Sequence, residues 1–124
     1  MGDLTANFSA EEFACKCPND CDMKDGGKMD RVFVQSLQVI RDVLKKPLTI
    51  TSGLRCKEWN KQCGGKDDSA HLKGLAADIE CNYSTDRYDL IPLLRGLFGR
   101  IGIDKKFFHV DQDDSKSQNV MWVY

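Results

Sequence analysis

The chain has 124 residues, with 18 Lys plus Arg against 19 Asp plus Glu, a formal net charge of -1, 41% hydrophobic residues and 30% charged residues. That length suits one domain over residues 1–124, and the composition is too polar for a membrane protein and too apolar for a disordered one. A near-zero charge gives no electrostatic footprint for a phosphate backbone, and no stretch approaches the roughly 20 apolar residues of a bilayer span, so neither nucleic acid nor a membrane span is expected.

Residues 8–13, FSAEEF, predict a short helical turn with Ser9 as N-cap, Glu12 at the third helical position and Phe8 before it. From 15 to 28, Pro18, Asn19, Asp20, Gly26 and Gly27 with few apolar residues predict an irregular loop in need of cross-links. Met29, Phe33, Leu37, Ile40 and Leu44 recur at the period of an amphipathic helix that stops before Pro47. Residues 48–51 then read as a strand that delivers Arg55 into a loop, followed by a short helix with Cys56 and Cys63 on one face.

Residues 75–81 read as a strand carrying Asp78. A second helix is expected over 84–98 with Tyr88, Ile91, Leu94 and Phe98 inward, either bent at Pro92 or starting near Asp89. Three further strands are expected at 102–103, 107–111 and 120–124. The resulting fold class is α+β: a small, mostly antiparallel sheet from strands near 48, 76, 101, 107 and 120, flanked by the two long helices.

Only two histidines are present, and each lies near an aspartate: SAHLKGLAAD over 69–78 and FFHVD over 107–111. One such frame is more often an ordinary surface or hydrogen-bonded histidine than a metal ligand; two in one small chain raise the case for a metal centre. A catalytic zinc takes three protein ligands and keeps a fourth position open, and His71, Asp78 and His109 supply that set. Gly74, Ala76 and Ala77 leave room for close backbone packing around it.

The pattern formed by Ser69, His71, Gly74, Ala76 and Asp78, followed by Phe107, His109 and Asp111, resembles the zinc D-alanyl-D-alanine peptidase family of peptidoglycan-cleaving enzymes, whose fold is shared with Hedgehog signalling domains. FSAEEF near the start, PLTITSGLR at 47–55, Asn60 with Gly64 and Gly65, and the closing MWVY are similar to phage-encoded and cell-wall members. The resemblance implies one catalytic zinc on the open face of the sheet, held by His71, Asp78 and His109. It implies that Arg55 and Ser69 hold the carboxylate or carbonyl of a peptidoglycan stem peptide, a role suited to the guanidinium fork.

Many relatives place an acidic general base three residues before the last histidine, where this chain has Lys106. Asp111 and Asp104 are the candidates to replace it. Residues two apart in a strand share a face, so Asp111 is favoured as a site residue, either as base or as the group that orients His109, and Asp104 is read as a turn residue.

Three fates are open to the cysteines. Disulfides between the group Cys15, Cys17 and Cys21 and the pair Cys56 and Cys63 are favoured; a second, thiolate-bound zinc is the alternative; a reduced core thiol suits Cys81. Peptidoglycan lies outside the cytoplasm, where disulfides persist. The start of the chain lacks the basic region and apolar run of a signal peptide, which points to a phage product such as an endolysin, a virion component, or a domain cut from a longer protein. A monomeric zinc carboxypeptidase or endopeptidase is the leading reading. A zinc-containing binding module with impaired turnover is the second, and a virion part in which zinc only staples the fold is the third.

Overall fold

The computed structural model describes residues 2–124. Helix α1 spans Ala10–Phe13 and starts with a reciprocal capping box, in which the Ser9 amide donates to Glu12 Oε2 at 2.7 Å. The chain then runs irregularly to a 3-10 turn at Gly26–Lys28. Helix α2, Arg31–Leu44, is capped by Asp30, whose Oδ1 accepts from the Phe33 amide at 2.9 Å, and it ends at Lys45 in the left-handed region. Its apolar stripe is buried at Phe33, Val34, Leu37 and Ile40, as the spacing predicts.

Strand β1, Ile50–Ser52, leads to helix α3, Lys57–Gln62. The two cysteines expected on one face of this helix are instead its caps. Cys56 turns toward the N-terminal loop, where its amide donates to Cys15 Sγ, and Cys63 is exposed. All six cysteines are free in this structure, which shows none of the expected disulfides.

Strand β2, Ala76–Glu80, precedes helix α4, Ser84–Leu97, which runs through Pro92 instead of starting near Asp89. Pro92 has no N–H to donate to the Tyr88 carbonyl, and Tyr88 is 82% exposed, so the loss falls on the solvent side of the helix. Tyr88 therefore does not face inward as expected. The inward stripe is Leu90, Leu94 and Phe98, spaced by four, and Tyr88 lies on the far side of the helix from Leu90.

Strands β3 (Arg100–Ile103), β4 (Phe107–Asp111) and β5 (Val120–Val123) complete a five-stranded sheet in the order β1-β2-β4-β3-β5. The first three pairings are antiparallel, but β3 and β5 run parallel, so the sheet is mixed and not mostly antiparallel. The cause is the connection at 112–119. β4 ends beside the start of β3, with Asp111 opposite Arg100, and the connection passes that same end, where the Val120 amide donates to the Gly99 carbonyl. β5 thus enters beside the start of β3 and follows its direction.

That connection is held by Asp113, a carboxylate that is almost fully buried. Its Oδ1 accepts from the Ser115 amide and hydroxyl, and Lys73 Nζ lies 2.9 Å from its Oδ2. Burial alone would raise its pKa, but Ser115 and Lys73 outweigh burial and hold the carboxyl well below the usual carboxylate range. A group depressed in this way contributes stability that is complete above its unfolded pKa of about 3.9 and is lost as the pH falls below it. Asp113→Asn is expected to cost about 2 kcal/mol near neutral pH. The difference from wild type should narrow in thermal melts carried out below about pH 4.

The two faces of the sheet differ. Ala77, Ile79, Ile101, Phe108 and Val110 join Phe33, Leu37, Leu90 and Leu94 in one core against α2 and α4. The rings of Phe33 and Phe98 meet there at 5.4 Å. On the opposite face the register aligns Asp78 with His109 and His109 with Gly102, a row of polar groups on a firmly packed sheet. Among the described residues no helix is long and apolar enough to cross a membrane.

Candidate metal centre

His71 comes from outside the sheet, on a 3-10 turn at Ala70–Lys73. Ser69 caps this turn, its Oγ accepting from the His71 amide at 3.2 Å, and Gly74 closes it at φ 72°. A side chain at Gly74 would be strained by that angle, and its Cβ would lie 2.9 Å from the Lys28 carbonyl oxygen. The turn therefore delivers His71 directly over Asp78, a few residues later on β2.

His71 Nδ1 lies 2.7 Å from the Gly53 carbonyl oxygen. A carbonyl only accepts, so Nδ1 carries the proton and Nε2 presents its lone pair. That Nε2 is buried without a hydrogen-bond partner, although Asp78 Oδ1 is only 3.3 Å away. Two acceptors facing each other in a buried site are costly unless a cation lies between them. His109 lies between two carboxylates, its Nε2 2.7 Å from Asp111 Oδ2 and its Nδ1 3.2 Å from Asp78 Oδ1, so its Nδ1 contact is satisfied either by a proton or by a cation in the proton's place.

These separations fit zinc. Ligand bonds of about 2.0–2.1 Å in a tetrahedron place neighbouring donors roughly 3.3 Å apart. The three donor atoms all lie within 4.8 Å of one another. Burial lowers the pKa of His71, in keeping with a neutral ligand. Burial also pulls at His109, but Asp111 and Asp78 on either side outweigh it and raise its pKa. At Asp78, burial pushes upward and the two histidines win, holding the carboxyl below its usual range.

Asp111 is fully occupied. Its Oδ1 accepts from the Asp113 amide at 3.1 Å, its Oδ2 holds His109, and Arg100 Nε pairs with it at 2.9 Å. Burial alone would raise its pKa, but His109, the Asp113 amide and Arg100 lower it, so it stays ionised as an acceptor. A carboxylate holding a ligand histidine fixes the ring's orientation and tautomer. Arg55 acts similarly on Asp78: its Nη2 donates to Asp78 Oδ2 at 3.1 Å, while Nε donates to Ser52 Oγ and Nη1 to Asn60 Oδ1. Two of its five N–H groups have no partner here, and Arg55 borders the cavity above the centre.

That cavity, about 610 Å³, takes in His71, Asp78 and His109 together with Arg55, Ser69, Asp104 and Asp111, so the sequence-predicted residues share one site. The sequence reading did not place Arg100, Trp122 and Tyr124 there. Arg100 stacks 5.1 Å from the Trp122 ring, and Trp122 reaches across to His109 at a ring separation of 5.5 Å. Gly102 makes this possible, because a Cβ there would lie 2.8 Å from atoms of both Trp122 and Tyr124. The sequence signal for these rings was the alternation of Val120, Trp122 and Tyr124, which becomes informative only when β5 is known to lie beside β3.

Two imidazoles and one carboxylate, buried together and opening into a cavity, could hold a metal ion and leave its fourth position open. The family model for Peptidase M15 matches residues 6–111, and the chain belongs to this family of zinc peptidases. No curated protein matches the chain.

Proposed function

We propose that the chain is one zinc peptidase domain over 1–124 that hydrolyses peptide bonds in the peptidoglycan stem peptide, acting as a monomer outside the cytoplasm. The observation that carries this reading is the convergence of His71 Nε2, His109 Nδ1 and Asp78 Oδ1 at the floor of an open cavity, with the His71 nitrogen buried and unpartnered. Zinc at this cradle would supply a Lewis acid that polarises the scissile carbonyl.

The surrounding side chains divide the remaining work. Asp111 and Arg55 orient His109 and Asp78, and neither carboxylate has an oxygen free for proton transfer. Asp104 does: its Oδ2 accepts from the Lys106 amide, its Oδ1 has no partner among the described residues, and it borders the cavity. It stands opposite Phe107 in the β3–β4 hairpin, on the face that carries His109. Asp104 is therefore assigned as the base that takes a proton from the attacking water and returns it to the leaving amine. Of the two roles the sequence leaves open to Asp111, this reading keeps the orienting of His109 and gives the base to Asp104, which the sequence suggests is a turn residue.

The spare N–H groups of Arg55 and the exposed Lys66 are the cations left to meet a substrate carboxylate, and Ser69 borders the same space. Trp122 and Tyr124 wall the side toward β5. Asp111→Asn keeps the shape but weakens the hold on His109, and zinc affinity is expected to fall about 10- to 100-fold. Competition with a metal-binding dye measures this. The reading as a whole is tested by incubating purified peptidoglycan with wild type and with His71→Ala and following new amino and carboxyl ends by mass spectrometry. Cleavage by wild type alone supports it and identifies the bond; no cleavage by zinc-loaded wild type favours the binding module that the substitution of Lys106 suggests.

A further inference from the structure

We propose that Cys15, Cys17, Cys21 and Cys56 form a second metal site, which holds a zinc-class ion structurally and ties the N-terminal loop to the segment that carries Arg55. The four sulfurs all lie within 4.8 Å of one another, and none is bonded to another. A disulfide brings two sulfurs to about 2.05 Å, whereas four thiolates about 2.3 Å from one ion stand roughly 3.8 Å apart. Four soft donors gathered around one point, with no position left for water, suit a closed structural site.

The surroundings favour thiolates. The Cys56 amide donates to Cys15 Sγ and the Trp59 amide to Cys56 Sγ, each at 3.4 Å. Such donors stabilise ligating sulfur. Four thiolates and a divalent ion leave a net charge of -2, and Lys24 sits against it, donating to the Cys15 carbonyl at 2.9 Å and to the Cys17 carbonyl. Each thiol releases its proton to solvent as it ligates, including the Cys17 thiol that donates to the Asn19 carbonyl.

The loop's composition explains the need. Cys15 and Cys17 are buried although the segment between α1 and α2 has little apolar side-chain mass to hold it. An ion shared with Cys56 closes that segment onto the residue that follows Arg55, whose guanidinium steadies Asp78. The cysteine site thus braces one wall of the cavity without contributing to its floor. Cys63 and Cys81 stand outside the cluster.

The test uses the full chain carrying His71→Ala and His109→Ala, so that the histidine centre does not bind and failure of the peptidase reading is scored separately. This variant, purified with reductant and freed of metal, is titrated with cobalt(II) alone. The proposal predicts intense thiolate-to-cobalt charge-transfer bands that saturate at one equivalent and are abolished by one equivalent of zinc. Cys21→Ser, at a half-buried position, should weaken cobalt binding at least about tenfold, and Cys63→Ser should leave it unchanged. Cobalt uptake without thiolate bands would overturn the proposal. So would wild type isolated without reductant in which only two of the six thiols react with an alkylating agent and the other four are paired. The parent titration decides the matter even if Cys21→Ser fails to fold.

Discussion

Asp78→Asn is expected to lower peptide hydrolysis by at least about a thousandfold, roughly 4 kcal/mol of transition-state stabilisation, and to abolish zinc binding at the histidine centre, one ion per chain fewer than wild type. Asp78 is the centre of the cradle: Oδ1 faces both histidines and Oδ2 takes the Arg55 guanidinium. An amide of the same shape removes the one carboxylate among the three donors and leaves the Arg55 cation, 11% exposed, without its partner beside the two imidazoles. Breaking a buried pair in this way costs about 3 kcal/mol of stability. Elemental analysis, a hydrolysis assay and a thermal melt on the same preparation separate the three effects.

Asp104→Asn is expected to lower kcat by about 10²- to 10⁴-fold while zinc content and KM stay near wild type, because a base acts in the transition state and not in binding. Loss of Asp111 should act through zinc affinity and be relieved by excess zinc, since its oxygens are spent on His109, Arg100 and the Asp113 amide. Loss of Asp104 should not be relieved. Steady-state kinetics at two zinc concentrations distinguish them, and an unchanged kcat for Asp104→Asn would return the base to another group.

What the sequence made legible was set by short-range rules. The α1 capping box, the apolar stripe of α2 and the alternation in β2 and β4 are fixed by periods of 3.6 and 2, and those periods brought Asp78 and His109 to one face. His71 was legible because the turn ending at Gly74 is local. The remainder depended on long-range pairing. That β5 runs parallel to β3 follows from where the connection carrying Asp113 crosses, and with it the places of Trp122 and Tyr124. The task of Arg55 was legible as carboxylate recognition, but its nearest carboxylate is Asp78 of the chain itself. The meeting of Cys56 with Cys15, 41 residues apart, leaves no periodic trace at all.

The most direct test of the central claim is hydrolysis of a synthetic stem peptide by wild-type protein before and after removal of metal by a chelator, with zinc then returned at two equivalents, enough for the histidine and cysteine centres together. Cleavage should disappear on chelation, return with zinc, and never appear in His109→Ala. Cleavage that persists in the metal-free protein, or an equal rate in His109→Ala, would contradict it.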